Sequence, residues 1–314
     1  MQCLITGAAG FIGSHLCERL LAAGARVIGI DCFTDFYPRQ IKERNLATVR
    51  THSAFTLHEA NLLEAPLPSL LRNVEVVFHL AAQAGVRTSW GREFATYTNC
   101  NILATQRLLE ACRDRRLRRV VVASSSSVYG DCDELPLREE SPLRPVSPYG
   151  ITKLATEHLA SLYASKFTVP VVSLRYFTVY GPRQRPDMAF SRFLQRLARD
   201  EPLEIYGDGT QTRDFTYIDD IIDATVRSAE RGLAGAVYNI GGGSRVSLNE
   251  AIETLTAQLK KAPHLLHQAP QVGDMRHTFA DITKAQAELQ YTPRVPLAEG
   301  LRRQVEWFLL SSGG

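Results

Sequence analysis

Tyr149 and Lys153 stand four residues apart in SPYGITK, just after the Ser147–Pro148 pair that opens a helix, so their side chains share one face. A tyrosine with a pKa of about 10 is a poor base at neutral pH. A lysine ammonium one turn away favours the phenolate, so the pair suits removal of a proton from a hydroxyl. Upstream, Ser124, Ser125, Ser126 and Ser127 directly follow the apolar run RVVVA. Four hydroxyls there can form a plain polar turn; beside a phenolate they can donate to a substrate hydroxyl or carboxylate. A third constellation lies near the N-terminus, where Gly7, Gly10 and Gly13 precede Asp31. The first glycine allows a tight turn, the second a close approach to a pyrophosphate, the third helix-to-strand packing. Helix amides without internal partners then face the phosphates. Asp31 would accept from a ribose 2′-OH and repel a 2′-phosphate, which favours NAD over NADP. The positive nicotinamide of NAD⁺ would further favour the Tyr149 phenolate.

These groups need rigid elements beneath them. Leu4 and Ile5 belong to an apolar run too short for a helix; helical spacing follows through Leu16, Leu20 and Leu21 to Gly24, then a second run from Val27 to Ile30. Ala54 to Leu57, Glu75 to Leu80, Arg119 to Ala123 and Val169 to Leu174 read as further strands. Helical spacing covers Thr96 to Cys112 and Ser147 to Phe167. This alternation predicts an α/β fold, a doubly wound parallel (Rossmann) sheet. Past Tyr176 the texture changes to VYGPRQRPD and YGDGTQTRDF, followed by helices at Phe190–Arg199, Ile218–Arg231 and Leu248–Lys260, and a strand-like VYNIG. These pieces predict a second, smaller α/β substrate-binding domain over the carboxyl ends of the strands. The expected division is 1–176 plus about 214–235 for NAD, and 177–213 plus 236–314 for substrate.

At 45% hydrophobic and 22% charged residues, the 314-residue chain has an ordinary globular composition. Its net charge of +3 gives no argument for nucleic acid or an anionic membrane. No apolar run approaches the ~18 residues of a membrane span, and the first strand starts almost at Met1, leaving no room for a signal peptide. The six cysteines (Cys3, Cys17, Cys32, Cys100, Cys112, Cys132) include no C-x-x-C pair. Reduced thiols, no metal and a cytoplasmic protein are therefore expected. The basic run RDRRLRR follows a helix, lacks interleaved aromatics and reads as a solvated helix terminus.

The glycine spacing resembles extended short-chain dehydrogenase/reductases. HLAAQAGVR, SSSSVYG, YGITK, LRYFTVYGP, RDFTYIDD and GDMRHTFAD, spanning nearly the whole chain in family order, resemble the NDP-sugar 4-epimerases among them. That resemblance implies Tyr149 as base, Lys153 as its electrostatic partner and Ser125 on the sugar 4-OH. It implies Arg213 and Arg276 on a UDP diphosphate, with Asn99 and Tyr176 shaping the pocket. It extends the expected NAD site to Phe11, Ile12, Asn61, Leu62, Leu80, Ala81 and Ala82. The implied reaction is redox-neutral: Tyr149 takes the 4-OH proton as the C4 hydride passes to NAD⁺, the 4-keto sugar turns over, and the hydride returns to the opposite face. A homodimer through the Thr96 and Ser147 helices is a family expectation.

Departures from the family narrow the substrate. Dehydratase relatives carry Asp-Glu where this chain has Ser126 and Ser127, so dehydration lacks its acid and base. UDP-glucose epimerases usually have asparagine at the position of Thr178. FTVYGP followed by RPDMA, with QAGVR and its Arg87 earlier, looks more like the UDP-glucuronate 4-epimerases. A C6 carboxylate suits the planar fork of Arg185 plus the hydroxyls of Ser126, Ser127 and Thr178. Holding that carboxylate out of alignment with the C4 carbonyl would suppress decarboxylation of the β-keto acid. Asn61 stands where such proteins often have aspartate near the adenine, and an amide can still bond that base. The alternatives are a UDP-glucose 4-epimerase on the same fold, a decarboxylase, and a non-catalytic NAD-binding regulator, which would typically have lost the Tyr/Lys pair.

Overall fold

Short runs rich in Val, Ile, Leu and Phe form the central parallel strands, buried on both faces, while the edge strand Phe55–Glu59 keeps exposed positions. The computed structural model describes residues 1–132 and 134–312. In it β1 (Gln2–Thr6), β2 (Arg26–Asp31), β3 (Phe55–Glu59), β4 (Val76–His79), β5 (Arg119–Ser125), β6 (Val171–Tyr176) and β7 (Val237–Ile240) make one seven-stranded sheet, ordered β7-β6-β5-β4-β1-β2-β3. Every pairing in it is parallel. Helix α1 (Phe11–Ala22) packs one core against the sheet, and α2 (Ala104–Cys112) and α3 (Pro148–Phe167) pack a second. Strand order reverses between β1 and β4, and such a crevice is where open α/β sheets bind ligands. Among the described residues no helix is long and apolar enough to cross a membrane.

Three expectations need correction. The sixth strand begins at Val171 rather than Val169 and ends at Tyr176, because Pro170 has no amide to give the ladder. VYNIG does not belong to the smaller domain. As β7 it pairs with β6 and closes one edge of the central sheet, so the expected substrate segment 236–314 loses Val237–Ile240 to the first domain. Residues 313 and 314 of that segment lie outside the described residues. The expected helix from Thr96 to Cys112 starts at Phe94 and runs through a π-turn at Thr98–Leu103 before α2. The wider turn changes which side chains face the core: Asn101 is buried and Asn99 is exposed.

The rest of the chain builds the smaller lobe. It carries α4 (Ala189–Ala198), α6 (Leu248–Leu259) and strand pairs Leu203–Tyr206 with Leu265–Gln268 and Thr212–Asp214 with Arg245–Ser247. Helix α5 (Ile218–Arg231) returns to pack on α1, and α7 (Leu297–Ser312) packs on α6.

Candidate active site

The carboxyl ends of the strands and the smaller lobe enclose a cavity of about 940 Å³. At one end, Gly7, Gly10 and Gly13 form the turn from β1 into α1. A Cβ at Gly13 would lie 2.1 Å from the Gly7 carbonyl oxygen, so only glycine lets the helix approach the turn so closely. A Cβ at Gly10 would meet only that oxygen, at 3.2 Å, and Gly10 otherwise opens onto the cavity. Asp31 ends β2 with its carboxylate accepting from the Ala9 and Phe33 amides at 3.0 and 2.8 Å, and Lys42 Nζ lies 3.8 Å away. Phe11, Ile12, Asn61, Leu62, Leu80, Ala81 and Ala82 line the same end, as expected of a dinucleotide site. Phe36, Tyr37 and Lys42 line it too. They come from the polar stretch between Asp31 and Arg50, which reads as loop and helix and matches none of the motifs that mark the site, so sequence reasoning passed them over.

The centre is built where β5 meets the start of α3. Ser147 Oγ accepts from the Gly150 amide at 3.1 Å, Pro148 fills the first turn, and the helix then presents Tyr149 and Lys153 to the cavity. Ser125 Oγ accepts from the Ser127 amide and donates to Ser127 Oγ, both at 3.1 Å, holding the serine turn. Ser126, Ser127, Tyr176 and Thr178 line the cavity beside it. Lys153 Nζ donates to the Ala123 carbonyl at 2.8 Å, and burial pushes its pKa down to about 8 against the opposing charge of Glu157. Glu157 itself accepts from Ser124 Oγ and is forked by Arg175 at 2.9 and 2.8 Å. Burial raises the Tyr149 phenol above its ordinary value; the Arg185 charge and a Ser125 hydrogen bond oppose this. The lowering expected from Lys153 is therefore not what the protein alone supplies, and the leading opposing charge is Arg185.

Near Tyr149, Arg185 forks Asp187 through Nε and Nη2, both at 3.0 Å. Arg87 Nη2 donates to Asp274 at 2.6 Å, and its guanidinium stacks 4.2 Å from the Tyr206 ring centre, with Arg192 at 5.8 Å from the same ring. Arg213 donates through Nη1 to the Thr212 and Arg276 carbonyls at 2.9 and 3.1 Å. All of these except Thr212 and Arg276 line the cavity. Two expected residues are not brought in. The Arg276 side chain is exposed, and only its backbone serves, as an acceptor for Arg213 and through its amide to Asp131. Asn99 faces outward, and Asn101 instead bonds the Gln83 amide at 2.7 Å, the Gln83 carbonyl at 3.0 Å and Thr152 Oγ1 at 2.9 Å. His79, which looks chemical in HLAAQAGVR, is buried between Thr6 and Thr105 and held neutral with a pKa near 3.

The NAD dependent epimerase/dehydratase family matches residues 3–241. The chain belongs to that family. Among family members similar to it, an uncharacterised UDP-glucose epimerase, YtcB, of Bacillus subtilis is 46% identical over 98% of both chains. The UDP-glucuronate 4-epimerase of Thermodesulfobacterium geofontis is 37% identical, covering 97% of this chain and 95% of its own. The crystal structure of Bacillus cereus UDP-glucuronic acid 4-epimerase in complex with UDP-glucuronic acid and NAD superposes with a TM-score of 0.96. It is 45% identical and covers 99% of this chain and 100% of that one.

Proposed function

We propose that this epimerase-family protein interconverts UDP-glucuronate and UDP-galacturonate through a 4-keto intermediate, with NAD as resident cofactor. The observation that carries the substrate is the placement of Arg185 in the same cavity as Tyr149, with Ser126, Ser127 and Thr178 also lining it. A cation and three short hydroxyls lining one cavity suit a C6 carboxylate. The turn at Gly10 would hold the pyrophosphate and Asp31 the adenosine ribose. When bound there, NAD supplies a reversible hydride acceptor for C4. Tyr149 removes the 4-OH proton and gives it back after the sugar has turned, while Ser125 orients that hydroxyl. Lys153 keeps a positive charge beside the phenolate, and Arg87 and Arg213 hold the UDP portion. Gly10→Val should strip the cofactor, read as loss of the nucleotide released on denaturation.

The test is incubation of the purified protein, with no added cofactor, against UDP-glucuronate and UDP-glucose separately. Turnover of the glucuronate alone, or far faster, supports the reading; preference for UDP-glucose favours the second reading, a hexose epimerase, to which the name of the Bacillus subtilis relative points. We further propose a homodimer, since Phe94, Leu103, Ile151 and Leu162 leave large apolar side chains exposed on the helices around the π-turn and on α3. A cytoplasmic setting suits thiols such as Cys3 and Cys112, which burial pushes up to about 12.

A further inference from the structure

Arg185 is gripped from one side only. Its Nε and Nη2 donate to the two carboxylate oxygens of Asp187 at 3.0 Å each. Pro186 between them fixes the backbone φ, so this fork is partly preset by the chain. A guanidinium carries five N–H donors in one plane, enough for two carboxylates on two edges. Asp187 takes the side edge. Nη1 and the outer proton of Nη2 form the end edge, which has no protein partner among the described residues. Both residues line the cavity, and the Arg185 guanidinium lies 5.9 Å from the Phe36 ring centre. The side chains are 23% and 38% exposed, a setting where an ion pair adds little stability.

We infer that Asp187 is a positioning residue for carboxylate selection: by holding the side edge of Arg185 it presents the end edge to the C6 carboxylate of a uronate substrate. This rests on the glucuronate reading above. An arginine already held in one geometry loses less freedom when it binds a second carboxylate, a saving of roughly two- to tenfold in affinity. Asp187 thus acts through Arg185 and never touches the reacting atoms.

The experiment uses the NAD-loaded full chain and measures kcat and KM for both UDP-sugars in wild type, Asp187→Ala, Asp187→Glu, Arg185→Ala and the Ala/Ala double variant. Asp187→Ala should raise KM for UDP-glucuronate about three- to tenfold with kcat moved less, lowering the glucuronate-to-glucose ratio of kcat/KM accordingly. Asp187→Glu should restore part of that ratio. Arg185→Ala should lower it about 10- to 100-fold, and the double variant no further. A ratio unchanged by Asp187→Ala, a lower KM for UDP-glucuronate in that variant (Asp187 as competitor), or additive losses in the double variant overturns the inference while the glucuronate reading stands. Equal loss of both sugars in Arg185→Ala overturns the glucuronate reading, and this inference with it.

Discussion

Lys153 is buried and Tyr149 half-buried, and the loss of water around them works against the charged form of each. Tyr149→Phe removes only the acid–base function. Epimerisation should fall by ~10²–10⁴-fold or more while titration calorimetry still detects UDP binding; near-normal turnover would remove Tyr149 from the mechanism. Lys153 exposes a cost. Its pKa falls from 10.5 in the free side chain to about 8 in the folded protein. The folded chain therefore holds its proton less tightly than the unfolded chain, and the destabilisation is complete below about pH 8. It fades as pH rises from there through 10.5. Lys153→Met should abolish turnover yet raise the stability of the NAD-free protein at pH 7 by about 2 kcal/mol, after allowing for the lost bond to Ala123. The gain should shrink steadily in melts above pH 8. A variant less stable than wild type at pH 7 would show that the bond to Ala123 outweighs the burial of charge.

At the scale of elements, the residues that read correctly from sequence are those whose constraint is local. Gly7, Gly10 and Gly13 announce a turn, and Ser147–Pro148 announces a helix start that faces the next turn into the cavity. What failed depended on long-range geometry. VYNIG is as strand-like in one sheet as in another, and its partner β6 lies more than sixty residues upstream. Asn99 and Asn101 sit in one helical run, and a π-turn decides between them without any propensity that marks it. Arg276 was placed by its motif, but the structure uses its backbone and leaves its side chain outside. The asparagines give a direct check. Asn101→Ala leaves the Gln83 amide and carbonyl without the partners Asn101 supplies, while Thr152 Oγ1 keeps its bond to the Tyr149 carbonyl, and should cost about 1–3 kcal/mol in thermal or urea unfolding. Asn99→Ala should change stability by less than about 0.5 kcal/mol. A reversed order would mean that the π-turn register is wrong.

At the scale of the molecule, the exposed apolar residues on α3 provide a test of assembly. Ile151, 51% exposed, and Leu162, 48% exposed, are eleven residues apart, three helical turns, and so lie on one stripe. Leu162→Asp should shift the protein from dimer to monomer in sedimentation without unfolding it, because the position is solvent-facing within one chain; an unshifted sedimentation profile would place any dimer contact elsewhere. The threading of the chain has another consequence. After β6 it leaves for the smaller lobe, and only at Val237–Ile240 does a strand come back to pair with its open edge. During synthesis, β6, buried at every position in the finished fold, must wait some sixty residues on the ribosome with an open backbone ladder. A chain terminated near residue 235, where composition alone would cut it, therefore emerges with six of the seven strands and β6 as an unpaired edge, rather than as a finished cofactor domain.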